Sequence, residues 1–253
     1  MSRDRDPAAV AANEPEGDAT DPVHAVGVGP GSPEYLVPRA RRAIREADVV
    51  VGFETVVDVV RGEVDTGADW LTCGYTDEGE TLSAFADRVD AGASGVAVLM
   101  GDPNHSGYQF VGKVESAVEG RVRVVPGISS LQVAASRART PMEETTFVTL
   151  HKRGSLDADL ARLRADAGDR HLLVLPRPYD WMPGDVASHL LEAGASPGTP
   201  ALVLERLTHD DEATTRSTLG ELATHEGGSD PEDTPFSDLS VLAVRREQGR
   251  PPE

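Results

Sequence analysis

The apolar residues of this chain fall into short unbroken runs, separated by segments with helical spacing. HAVGVG (24–29), DVVVG (48–52), GVAVLMG (95–101) and RVRVVPG (121–127) are strand-like. Between them, PRARRAIREA, FETVVDVVR, ETLSAFADRVDAG and SGYQFVGKVESAVEG space their apolar positions as amphipathic helices. Pro38 suits a first helical turn and Gly92 a helix end. ISSLQVAASRAR adds a further helix. Continuous apolar strands alternating with helices predict a parallel sheet covered on both faces.

Near Thr140-Pro141-Met142-Glu143-Glu144 the pattern restarts. Strands are expected at TTFVTLH, HLLVLP, ALVLERLTH and LSVLAVRR, and helices at SLDADLARLRADAG and PGDVASHLLEAG. TTRSTLGELA reads as a strand followed by a short helix. The expected organisation is therefore a polar, acidic tail (1–21) that is too poor in apolar residues to fold, one α/β domain (22–143), a second with a mixed sheet (144–246), and a short tail (247–253). No internal repeat is visible.

Charge narrows the partners. Net charge is −19, from 43 acidic and 24 basic residues, and only Lys113 and Lys152 are lysine. An acidic, lysine-poor composition resembles proteins that work in concentrated salt, where ions screen the repulsion. It argues against nucleic acid as a partner, because phosphate binding needs a basic face. Cys73 is the single cysteine, which excludes a disulfide framework and a cysteine metal site, and no metal centre is expected. No apolar run approaches the ~18 residues that cross a bilayer, and the first residues lack the apolar core of a signal peptide. A cytoplasmic protein with no membrane partner is expected.

Three loops carry the candidate chemistry. Gly27-Val28-Gly29-Pro30-Gly31-Ser32 follows the first strand. It is not a dinucleotide fingerprint: Ser32 stands where the third glycine is needed, and Pro30 removes a backbone donor. Met100-Gly101-Asp102-Pro103-Asn104-His105 follows GVAVL, and Asp102 is an acceptor for ribose hydroxyls or an ammonium. Val125-Pro126-Gly127-Ile128-Ser129-Ser130 opens a helix, whose start offers both serine caps and free N–H groups. Alone, each loop is a weak signal: Asp-Pro is a common turn, and a serine at a helix start is often only a cap. Three of them after three apolar strands point to a ligand at the carboxyl edge of a parallel sheet.

In this order, GVGPGSPEYL, MGDPNHSG and VPGISSLQVAA resemble the signature loops of the tetrapyrrole methylases, and ALVLERLTHDDEATTRSTLGEL resembles that family's C-terminal motif. The likeness covers 23–246. It implies the tetrapyrrole methylase fold, two α/β domains with a cleft that binds S-adenosylmethionine (SAM), and a homodimer. By motif, it places SAM against Pro30, Gly31, Gly101, Asp102, His105, Ser129 and Ser130, and against Leu175 and Leu207 of the second domain. VVVGFETVVDVV, GDPNHSGYQ and FVTLHKRG resemble the branch that methylates carbon 5 of the corrin ring, the cobalt-precorrin-7 or precorrin-6Y methyltransferases. His151 and Arg153 match that branch's strand-end motif, while Lys152 stands where it has glycine. The branch sometimes carries a fused decarboxylating domain for carbon 15, and the chain has no room for it, so a separate decarboxylating C15-methyltransferase is the expected pathway partner. His151 is the candidate proton acceptor, or else only a hydrogen-bonding group. Lys152, Arg153, Arg177 and Arg206 are candidates to hold the substrate's carboxylates. Arg206 is also expected to pair with Glu212. Other methylases of the family, and a non-catalytic SAM or corrinoid sensor, remain as alternatives.

Overall fold

The computed structural model describes residues 23–247, apart from 106, 120, 121, 153, 228 and 229. The expected 1–21 tail lies outside the described residues, as does nearly all of the 247–253 tail. The chain divides into two compact units, the first ending at Ser129 and the second beginning at Ser130.

The first unit holds strands β1 (Val23–Gly27), β2 (Val49–Phe53), β3 (Asp69–Cys73), β4 (Gly95–Leu99) and β5 (Val122–Val125). They form one sheet in the order β3-β2-β4-β1-β5, and every pairing is parallel. Helices α1 (Pro38–Glu46), α2 (Glu54–Val60), α3 (Glu78–Asp90) and α4 (Tyr108–Ala117) make the crossovers. Alternate residues of each strand serve opposite faces. Ala25, Val49, Val51 and Ala97 pack with Phe85 of α3 and Val114 of α4. Val26, Val50, Val96 and Val98 pack with Ile44 of α1 and Val57 of α2. Both faces are thus buried, as the unbroken apolar runs predict.

β3 was not among the predicted strands. DWLTC is an edge strand paired only with β2, and Asp69 to Thr72 keep contact with solvent, so the segment shows no apolar run.

The second unit contains α5 (Ser130–Ala138), β6 (Thr145–Thr149), α6 (Asp157–Asp166), β7 (His171–Leu175), α7 (Pro183–Glu192), β8 (Pro200–Glu205), β9 (Ala213–Thr218), α8 (Leu219–Leu222) and β10 (Ser240–Val244). Its sheet runs β6-β7-β10-β8-β9, with β6 and β7 parallel and β10 antiparallel to both β7 and β8. The sheet is mixed, as expected. One face packs Leu172, Val174, Val203 and Leu242 against Leu163 of α6 and Leu190 of α7. The sequence pattern restarts at 143/144, but the compact units part earlier. Helix α5 lies against β7 and β10, and Arg245 Nη1 donates to the carbonyl oxygens of Ala138 and Arg139 at its end.

Candidate functional site

In the first unit β1 lies between β4 and β5, so the loops leaving these three strands emerge side by side. They are stitched together by the backbone. The Val28 N–H donates to Leu99 O at 2.9 Å, the Gly101 N–H to Gly29 O at 2.7 Å, and the Gly29 N–H to Gly101 O at 3.3 Å. Asp102 Oδ2 accepts the N–H of Gly127 at 3.0 Å, and its Oδ1 accepts that of Asn104 at 2.8 Å. The carboxylate therefore ties the loop after β4 to the loop after β5, across the end of the strand between them.

This crossing requires Gly27. A Cβ on Gly27 would stand 2.5 Å from Gly101 O and 2.7 Å from Gly127 N. One on Gly127 would stand 2.2 Å from Gly101 O. Side chains at these two positions would hold the loops apart. Gly101 itself has φ of +66°, which glycine adopts without steric cost.

Of the predicted first-unit residues, Pro30, Gly101 and Asp102 are buried here, and Gly31 is half-buried. Gly31 makes no hydrogen bond among the described residues, so its backbone groups remain available to a ligand. His105 is exposed; its N–H donates to Asp102 O at 3.0 Å, and its Nδ1 lies 3.8 Å from Asp102 Oδ1. Ser129 is buried and Ser130 begins α5. The loops after β1, β4 and β5 are brought together as predicted. Sequence reasoning missed what Gly27 and Gly127 do; the glycines themselves were the available signal.

In the second unit β6, β7 and β8 run the same way, so Thr149, Leu175 and Glu205 end on one edge. His151, Lys152, Leu175, Arg177, Arg206 and Leu207 thereby share that edge. Arg153 lies outside the described residues. The cations are paired: Lys152 Nζ with Asp159 at 2.6 Å, Arg206 Nε with Asp211 at 2.8 Å, and Arg177 with Asp180. The expected Arg206–Glu212 pair does not form. Glu212 instead accepts from Arg137 Nε at 2.8 Å and from the Thr208 N–H at 2.7 Å, and these bonds hold its carboxyl below the usual range. Arg206 has φ of +45° and turns toward Asp211. His151 is exposed as a residue, yet desolvation of its ring lowers the pKa, opposed by Asp238. Leu207 is buried and Leu175 half-buried.

The family model of the tetrapyrrole (corrin/porphyrin) methylases matches residues 22–223. The chain belongs to this family. A probable cobalt-precorrin-7 C(5)-methyltransferase of Methanocaldococcus jannaschii is 28% identical over 202 residues, covering 79% of this chain and 91% of that protein. A cobalt-factor III methyltransferase of Priestia megaterium is 27% identical over 219 residues, 80% of this chain but only 40% of its own length. The uroporphyrin-III C-methyl transferase of Thermus thermophilus, solved in complex with S-adenyl homocysteine, superposes with a TM-score of 0.66 at 25% identity, covering 88% of this chain and 92% of that one.

As a member, the chain is a methyltransferase, and SAM is the family's methyl donor. The first-unit edge fits such a group. It offers unoccupied backbone at Gly31 and small residues at the loop crossing. Among the described residues no group of acids, histidines and cysteine is placed to hold a metal ion, and no helix is long and apolar enough to cross a membrane.

Proposed function

We propose that this chain methylates carbon 5 of cobalt-precorrin-7, or of the precorrin-6Y type of substrate, in cobalamin biosynthesis. The observation that carries the proposal is the three-loop crossing over Gly27, with Gly31 open beside it. The similarity to the Methanocaldococcus jannaschii protein and the Leu150-His151 strand end support the choice of ring carbon.

SAM supplies an activated methyl group on a sulfonium, which leaves as a neutral thioether. The chain's task is then orientation and exclusion of water. Pro30, Gly31, Gly101, Asp102, His105, Ser129 and Ser130, on the loops after β1, β4 and β5, hold the donor. Asp102 acts mainly by keeping the loops together, since both its oxygens already accept backbone N–H groups. Lys152, Arg153, Arg177 and Arg206 receive the carboxylates of the tetrapyrrole. Lys152, Arg177 and Arg206 are held by acidic partners, and a substrate carboxylate takes over each pairing. His151, with its lowered pKa, is neutral near pH 7 and is the group able to accept a proton when the ring loses one. A homodimer is the assembly we expect.

The likeness to the Priestia megaterium protein favours a second reading, methylation of a different corrin carbon. Incubation with methyl-labelled SAM and a panel of cobalt-precorrins, followed by NMR location of the new methyl, separates the two. Label at carbon 5 supports the first reading and label elsewhere the second. No transfer to any tetrapyrrole contradicts both.

A further inference from the structure

Three aromatic rings gather at the carboxyl edge of the first sheet, beside the loop crossing. Phe53 ends β2, Tyr75 follows the end of β3, and Phe110 lies in the first turn of α4, directly after the Gly101–Gly107 loop. The Phe53 and Tyr75 centroids are 5.0 Å apart, inclined by 48°, and those of Phe53 and Phe110 are 5.3 Å apart, inclined by 52°. Phe110 is buried, Phe53 half-buried and Tyr75 89% exposed. The row thus climbs from the core to an open ring that is supported from behind.

Aromatic residues make up only 4% of this chain, so an open tyrosine backed by two phenylalanines is a concentrated feature. Its surroundings hold it in place. The Gly74 N–H, just before Tyr75, donates to Asp77 Oδ1 at 2.7 Å, and Glu78 is engaged by Lys113 of α4. The carboxylates of Asp77 and Glu78, which follow Tyr75 in the chain, are thus committed to other partners. An exposed aromatic face with a second ring against it suits a flat conjugated ligand, because π-systems stack offset and gain from the area they bury.

We infer that Tyr75, in contact with Phe53, which in turn meets Phe110, is the platform on which the tetrapyrrole macrocycle stacks, a positioning residue for methyl transfer. The inference rests on the tetrapyrrole reading given above. It adds which part of the first unit meets the ring face. Continuity along the edge supports it: α4 carries Phe110 immediately after the loop that Asp102 anchors, so the macrocycle and the methyl donor lie along one sheet edge.

The test titrates the full chain with two stable polycarboxylate probes, uroporphyrin III and cobyrinic acid, followed by their visible absorption. S-adenosylhomocysteine binding is measured in parallel by calorimetry. Tyr75→Ala is expected to weaken the tighter-binding probe by roughly three- to tenfold, and Tyr75→Phe by less than about twofold. S-adenosylhomocysteine affinity should be unchanged in both, which also reports that the variants are folded. Equal probe affinity in Tyr75→Ala and the unaltered chain overturns the platform, as does an unaltered chain that binds S-adenosylhomocysteine but neither probe. Failure to bind S-adenosylhomocysteine overturns instead the methyl-donor reading.

Discussion

Asp102 Oδ2 and the Gly127 N–H, 3.0 Å apart, join two loops that leave non-adjacent strands. The bond passes over β1, whose last residue is Gly27. A charge-assisted bond to a buried amide is worth about 1.5–3 kcal/mol, and losing the acceptor strands the donor. Asp102→Ala should therefore lower stability by roughly that amount and weaken SAM binding roughly ten- to hundredfold. Asp102→Asn, which keeps one acceptor oxygen, should lose less. Urea unfolding and calorimetry check both.

The crossing makes Gly27 intolerant of even a methyl group. Gly27→Ala sets a carbon against backbone atoms at 2.5 and 2.7 Å, where no flexible side chain can yield. A cost of about 1–3 kcal/mol or more is expected, with loss of S-adenosylhomocysteine binding. Gly67→Ala, with nothing within 4 Å of the added carbon, is the control and should change stability by no more than about 1 kcal/mol in either direction. Comparable urea midpoints for the two variants would show that the loops do not meet over β1.

His171 introduces a pH dependence. It is buried at the start of β7, and its Nδ1 accepts the N–H of Arg246 at 3.1 Å, which requires an unprotonated Nδ1. Burial lowers its pKa, Arg245 and Arg246 lower it further, and Glu144 opposes them. The unfolded chain then takes up this proton before the folded one does. Stability should fall as pH drops below about 6.5 and level off below the folded pKa. The loss should be smaller in His171→Asn. Urea midpoints from pH 8 to pH 5 measure this, and parallel curves for the two proteins would refute it.

Burial pushes the Cys73 thiol up to about 11, helped by Glu78 and Asp77 and opposed by Lys113. At pH 8 the folded chain should react with an aromatic disulfide reagent on the order of 10²-fold more slowly than a free thiol. Full reactivity should return in denaturant. Rapid labelling of the native protein would contradict the burial of Cys73.

Much of this architecture was legible because buried parallel strands leave unbroken apolar runs. DVVVG and GVAVL could be read that way, while DWLTC could not, since an edge strand with solvent on its residues has no such run. The GPG, GDP and PGISS loops were visible as glycines after strands. The bond from Asp102 to Gly127 was not, because it depends on β1 lying between β4 and β5, an order that local pattern does not encode. The same holds for the cations of the second unit. Their places at predicted strand ends identified Lys152, Arg177 and Arg206, but the choice of Asp159, Asp180 and Asp211 as partners depends on backbone turns such as the positive φ at Arg206.

The most direct test of the central claim is an amide NMR titration with S-adenosylhomocysteine. Residues 27–32, 101–105 and 127–130 should shift together along a single binding curve, because three loops form one site. Saturable binding that leaves any one of these loops unperturbed, or no binding at all, would contradict the account.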